Sequence, residues 1–170
     1  IITISKHSKD SYVNTVYRAT NNKTNEEIDF RTQVPVDYVS YPVYEYEADE
    51  SVKLDLKTSF NFLSVAQISP RKNLTALIKN FIDCFRENED VGLILKTNIA
   101  KNSIIDRTHT LNNLRNMINS LGDRKCKIYL LHGRLNDHEM SAIYKNPKVK
   151  AFVSTTHGEG FGLPIFESAY

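Results

Sequence analysis

Glycine is scarce in this 170-residue chain: there are six, roughly half of the ~7% average usage. Cysteine is scarcer. Cys84 and Cys126 are too few for a disulfide framework or a cysteine-built zinc site. Both fall in stretches that read as regular elements, so buried thiols in a reducing compartment are expected. No run approaches the ~18–20 apolar residues of a membrane span. No charged segment followed by an apolar one marks a signal peptide. Neither sign of charge is in excess. A net charge of +2 with no aromatic-basic stripe gives no sign of general nucleic-acid binding, and none is expected. With 41% hydrophobic and 25% charged residues, the chain is too apolar for disorder. Its length corresponds to about one domain. It starts at Ile1 without a methionine and stops at Tyr170 in a stretch that reads as helix, so a piece of a longer protein is expected.

Two textures divide the chain into 1–58 and 59–170. The first part has no glycine and holds six of the nine tyrosines. A strand is expected at Ile1–Ile4 and a short helix near Ser8–Tyr17. The polar run Asn21–Glu27 reads as a loop. Short β-type stretches follow at Val34–Val36 and Tyr38–Tyr46, where Pro35 and Pro42 restrict them to edges. The aromatic residues at 38–46 are expected to pack or to meet another domain rather than to form a sugar platform.

The second part alternates regularly. Phe60–Ala66 suits a buried strand. Ser69-Pro70 then reads as N-cap and first helical residue, and apolar side chains follow at 74, 77, 78, 81, 82 and 85, the helical template. Val91–Leu95 is a second buried strand. Asp106–Leu121 reads as a helix ended by Gly122. Ile128–Leu131 is a third strand. Asn136 with Glu139 resembles a capping box for a helix to about Tyr144. Ala151–Ser154 is a fourth strand, and Pro164 opens a last helix at its first position. Four strand–helix alternations predict an α/β, Rossmann-like parallel sheet with flanking helices. Ligands of such sheets lie beyond the carboxyl ends of the strands. Function is therefore expected in the loops after residues 66, 96, 131 and 154.

The loop after the fourth strand holds three of the six glycines, Gly158, Gly160 and Gly162, within five positions. Such a concentration predicts unusual backbone and close approach to a ligand. A helix start behind it favours an anion such as phosphate. The spacing is not the dinucleotide fingerprint, and no Gly-Lys-Ser/Thr completes a P-loop. A tight turn alone would explain the glycines equally well. Glu159 and Glu167, eight positions apart, add two carboxylates around the same helix start, a plausible grip for sugar or ribose hydroxyls. Glu167 by itself reads equally as a solvated helix residue.

The string GEGFGLPIFE, with its E-x7-E spacing, resembles the signature of the retaining GT-B glycosyltransferases of family 4. FLSVAQISPRKNL (62–74) resembles the family's strand, turn and basic helix start, and IYLLHGRLNDHEMSAIY (128–144) a further block. The resemblance covers about residues 60–170, in order. It implies the C-terminal half of a GT-B fold, with 1–58 as the end of the N-terminal domain and an inter-domain segment. The implied activity is a hexosyl-type transferase of polysaccharide or glycoconjugate biosynthesis. It would move a sugar from a nucleotide-diphosphate sugar to an acceptor hydroxyl of a glycan, lipid-linked or protein acceptor, with retention and without a metal or cofactor. The fragment alone is expected to transfer little or no sugar, because the missing N-terminal domain supplies the acceptor side. The implied location is cytoplasmic, with any peripheral attachment to the inner membrane face left to the missing part.

By the same resemblance, Lys72 contacts the donor diphosphate and Arg71 shares that task. Glu159 lies near the transferred sugar and Glu167 holds the ribose. The main chain of Gly160, Phe161, Gly162 and Leu163 meets sugar and phosphates. Gly133, Arg134 and Leu135 lie near the base. Gln67 stands where many members have an arginine, and Ala66 where they have a glycine. Arg71 is a candidate to make up the lost charge. Gln67 and Ala66 keep open a non-catalytic nucleotide-sugar-binding subunit of the same fold, and a GT-B sugar epimerase is a further alternative. His157 reads as loop-shaping. The scattered His7, His109, His132 and His138 form no ligand pattern, so no metal site is expected.

Overall fold

The computed structural model describes residues 1–169. Tyr170 lies outside the described residues; the last helix, expected to run on to the chain end, stops at Glu167 with Ser168 as its cap. The chain divides into two compact units, Ile1–Val43 and Tyr44–Tyr170.

In the first unit a short strand, β1 (Ile2–Thr3), pairs parallel with β4 (Asp37–Tyr38). Between them lie α1 (Lys6–Asn14) and an antiparallel hairpin of β2 (Tyr17–Thr20) and β3 (Glu27–Phe30). Ser5 caps α1 by accepting the Ser8 N–H. The helix therefore begins and ends a little earlier than the sequence suggests, and Tyr17 starts a strand instead, its ring stacked on Phe30 at 5.5 Å. The polar run at 21–26 is the hairpin loop. Of the two expected β-type stretches, Val34–Val36 forms no strand, and of Tyr38–Tyr46 only Tyr38 does, as the second residue of β4. Proline at 35 and 42 removes the amide donors a longer ladder would need.

The second unit is built on a four-stranded parallel sheet in the order β7-β6-β5-β8. Its strands are β5 (Phe60–Val65), β6 (Val91–Lys96), β7 (Lys127–Leu131) and β8 (Val149–Phe152). Every pairing is parallel. β6 is the deepest strand, with Val91 to Leu95 all buried. Alternate side chains leave a strand on opposite faces. Leu93 and Leu95 accordingly join Leu77, Ile78, Phe81 and Ile82 of α2 (Leu74–Phe85) and Leu114 and Ile118 of α3 (Ile104–Ser120) in one core. Ile94 and Leu63 point the other way, onto Ile143 of α4 (Asp137–Tyr144) and onto Leu56. Each fully buried aliphatic side chain contributes about 1.5–3 kcal/mol, so this two-sided core fixes the sheet edge that carries the site. Residues 44–58 belong to this unit, and Tyr46 accepts hydrogen bonds through its carbonyl from Ser141 Oγ (2.6 Å) and Lys145 Nζ (3.1 Å).

Local details depart from the sequence reading in several places, among them β8, which runs two residues earlier than the expected Ala151–Ser154. The segment after β5 forms a 3₁₀ turn at Pro70–Lys72, and α2 starts only at Leu74. Ser69 is extended but its side chain caps nothing; Asn73, in the left-handed region at φ 51°, makes the break. Pro164 is the second rather than the first residue of α5 (Leu163–Glu167), because Gly162 takes the cap position. Cys84 is exposed, not buried, whereas Cys126 is buried. The Asn136–Glu139 capping box forms in full, and Gly122 follows α3 at φ 82°.

Candidate functional site

The carboxyl ends of the strands open onto a cleft of roughly 400 Å³. Its lining includes Gln67 from the loop after β5, Lys96 and Asn98 at the end of β6, Gly133–Leu135 after β7, and Pro164 and Glu167 of α5. The four loops expected to carry function thus lie at one sheet edge, and three of them reach the cleft directly, as does α5 beyond the fourth.

The loop after β5 is laced to the glycine loop after β8. Lys72 Nζ donates to Glu159 Oε1 at 2.5 Å, and Arg71 Nη1 lies 3.2 Å from Glu159 Oε2. Arg71 also donates to the Gly158 carbonyl. The His157 N–H donates to the Arg71 carbonyl at 2.9 Å, and the Thr155 hydroxyl to that of Asn73 at 2.9 Å. The Lys72 hydrogen bond, followed by the contribution of Arg71, outweighs partial burial and holds the Glu159 carboxyl below its ordinary value. Glu159 is an anion fixed by two cations.

Only one of the three crowded glycines needs unusual backbone. Gly162 has φ 80°, which glycine adopts freely, whereas Gly158 and Gly160 do not have positive φ. The turn delivers α5. Gly160, Phe161, Gly162 and Leu163 lead into that helix without lining the cleft. The rings of Phe161 and Phe166 pack at 5.4 Å.

Glu167 faces the cleft from α5 and accepts a hydrogen bond from the Tyr144 hydroxyl at 3.3 Å. Burial raises its carboxyl above the ordinary value, and the Tyr144 bond offsets only part of that. Burial and the neighbouring Glu167 likewise push the Tyr144 phenol up. The pair also borders a second cavity of roughly 330 Å³, together with Tyr44 and Tyr46.

Gln67 brings no charge to the cleft it lines. Its Nε2 donates to the Ile99 carbonyl at 2.9 Å, tying the loops after β5 and β6 together. Gly133, at φ 117°, turns the chain after β7 so that Arg134 and Leu135 line the cleft.

Several contributors carry no motif in the sequence. Lys96 ends β6 and donates to the Gly133 carbonyl. Its signal is that it is the lone charge closing the apolar run VGLILK. Asp106, buried at the start of α3, accepts the backbone N–H groups of Ile99, Ala100 and Asn102 at 3.0–3.3 Å. His132 Nε2 lies 3.2 Å from Oδ2, the oxygen that also accepts the Asn102 N–H. Burial pushes the Asp106 carboxyl up, but the Asn102 N–H, His132 and the other amides together hold it below the ordinary value. Asp106 thereby shapes the loop behind Asn98 and Asn102. Neither residue of the Asp106–His132 pair touches the cleft, so the pair has a structural place there.

No protein-family model and no curated protein sequence matches the chain. Solved structures do match. The C-terminal domain of a glycosyl transferase group 1 family protein, LpcC of Francisella tularensis, is 16% identical, with 65% of this chain and 53% of that one covered at a TM-score of 0.48. The catalytic domain of cholesterol-α-glucosyltransferase from Helicobacter pylori is 21% identical, with 65% and 59% covered at 0.46. The apo structure of OtsA is 15% identical, covering 98% of this chain and 41% of that one at a TM-score of 0.55. The chain thus spans about half the length of the structures it matches. At these identities the likeness is one of fold alone, an α/β unit with a four-stranded parallel sheet and flanking helices, and it is the OtsA match, above a TM-score of 0.5, that carries it. Among the described residues, no helix is long and apolar enough to cross a membrane.

Proposed function

We propose that this chain is the donor-binding domain of a GT-B glycosyltransferase. The full enzyme would transfer a sugar from a nucleotide-diphosphate sugar to an acceptor hydroxyl, with retention and without a metal. One observation carries the reading. The Lys72–Glu159 pair joins the β5 loop to the glycine loop, and Lys72 shares a cleft at the sheet edge with Glu167 and the 133–135 turn.

An ammonium has three N–H donors, and Glu159 engages one face of Lys72. Its remaining donors offset the charge on the departing diphosphate. Glu159, held ionised, orients the transferred sugar, with Arg71 anchoring Glu159 and the glycine loop. By the family resemblance the main chain of Gly160–Leu163 would meet sugar and phosphates, although in this structure it leads into α5 outside the cleft lining. Glu167 accepts ribose hydroxyls, and Gly133, Arg134 and Leu135 flank the base. The acceptor, whether glycan, lipid-linked or protein, belongs to the N-terminal domain. Activity in the full enzyme follows closure of the two domains.

Calorimetry of the full-length protein with UDP, GDP and ADP tests this reading. Binding of one of them supports it, and failure of all three with folded protein overturns it. Gln67 and Ala66 keep open a second reading, a non-catalytic nucleotide-sugar-binding subunit of the same fold, against which Glu159, Glu167 and Lys72 argue. Binding without transfer to any acceptor, and without release of free sugar, would select it. Release of free sugar with no acceptor present would instead select an epimerase of the same architecture.

A further inference from the structure

The cleft lining contains three cations, Lys72, Lys96 and Arg134, and their circumstances differ. Lys72 is paired with Glu159. Arg71, next to it in sequence, is turned away onto Gly158 and Glu159 and is not part of the lining. Lys96 is half-buried at the end of a strand whose other five residues are buried. Its ammonium donates to a neutral partner, the Gly133 carbonyl, and forms no ion pair with any described residue.

A partly desolvated charge with only a neutral partner is costly to hold, and burial accordingly lowers the proton affinity of this lysine. A lysine that served only to cover apolar surface would run its stem along the sheet and carry its ammonium out to water. This one stops inside the cleft, on the turn that also presents Arg134 and Leu135. The neighbouring polar positions cannot supply the missing countercharge. Gln67 is spent on the Ile99 carbonyl, Asn98 donates to the Ala100 carbonyl, and Asp106 is enclosed by the amides of its own loop and His132. Glu167 faces the same cleft but is engaged by the Tyr144 hydroxyl, and no described carboxylate pairs with Lys96, so an anion entering the cleft would find that ammonium without an ion-pair partner.

We propose that Lys96 is a phosphate-binding residue of the cleft, a second ammonium besides Lys72 that takes up the negative charge of a nucleoside diphosphate. The proposal rests on the donor-domain reading and adds to it a residue outside the sequence motif. It also assigns to Lys96, rather than to Arg71, the charge that Gln67 does not supply.

The test is a titration of the full-length protein and its K96M and K96R variants with UDP, GDP and ADP, at low and high salt, alongside thermal unfolding. Loss of a charge-assisted hydrogen bond to phosphate predicts roughly ten- to hundredfold weaker binding in K96M, with a shallower salt dependence, and recovery of most of that loss in K96R. K96M should remain folded, because it removes a poorly compensated charge. Binding by K96M within threefold of wild type would overturn the role of Lys96 while leaving the donor-domain reading in place. Absence of binding to the wild type would overturn both. Should K96M misfold, K96R and K96Q carry the comparison, and equal binding by those two would overturn the proposal.

Discussion

Lys72 Nζ and Glu159 Oε1 lie 2.5 Å apart across 87 residues of sequence, closing the β5 loop onto the glycine loop at the sheet edge. Both side chains are largely sheltered, with 15% and 21% exposure. The pair is therefore structural as well as chemical, and it can be tested through stability alone. The Glu159 carboxyl is held below its ordinary value chiefly by the Lys72 hydrogen bond. A depressed carboxyl contributes stability that is present above its unfolded value of about 4.3 and is lost as pH falls through the folded value. Wild type should exceed E159Q by about 0.5–1 kcal/mol near neutral pH, and the margin should shrink as pH drops below about 4. Thermal melts across that range measure it. A margin independent of pH would contradict the pairing.

Glu167 should behave in the opposite sense. Burial raises its carboxyl, so ionisation costs folded-state stability. The cost sets in as pH rises above the unfolded carboxyl value and is complete above the raised folded one. E167Q keeps an acceptor for Tyr144 and removes that cost. It should be at least as stable as wild type at neutral pH and yet bind nucleoside diphosphate more weakly. Calorimetry and melts on the same samples check both halves. Unimpaired binding would remove Glu167 from the proposed ribose contact.

Gly92 is the glycine whose replacement the packing forbids. A Cβ there would lie 2.1 Å from Asn61 Oδ1, 2.7 Å from Thr58 Oγ1 and 2.8 Å from Tyr129. Those side chains form a buried network under the sheet, in which Thr58 bonds both Asn61 (2.5 Å) and Tyr129 (3.0 Å). G92A should lose about 1–3 kcal/mol by overpacking. Denaturant unfolding measures it, and an unchanged midpoint would contradict the close approach.

Asp106 holds the loop after β6 by three amides. In D106A the N–H groups of Ile99, Ala100 and Asn102 lose their acceptor. The variant should melt several degrees lower, and exchange of those amides should accelerate more than exchange in β6. Uniform acceleration across the sheet would mean the loop has no separate dependence on Asp106.

The sheet was legible in the sequence because β5, β6 and β7 are apolar runs bounded by polar loops. The helices were legible because Leu77, Ile78, Phe81 and Ile82 recur at helical spacing. The start of α2 was not. Ser69-Pro70 is a sound cap signal, but Asn73 adopts a left-handed conformation that propensity does not announce, and a 3₁₀ turn results. The glycine cluster marked the site for a reason only partly right, since a single member, Gly162, requires its freedom. Lys72 with Glu159, and Tyr144 with Glu167, are contacts between distant loops. A motif could place the first pair in one region, but no local pattern foretells the second. Lys96 was hidden because a charge at a strand end is ordinary in sequence and becomes unusual only when its surroundings are seen.

A donor screen on the full-length protein with product analysis, run in parallel with E159A, tests whether this chain serves sugar transfer. The wild type should transfer a sugar from a nucleotide-diphosphate sugar with its anomeric configuration retained, and E159A should lose that transfer with the fold intact. Transfer at the wild-type rate by E159A, or a folded wild-type protein that transfers no sugar from any such donor, would contradict it.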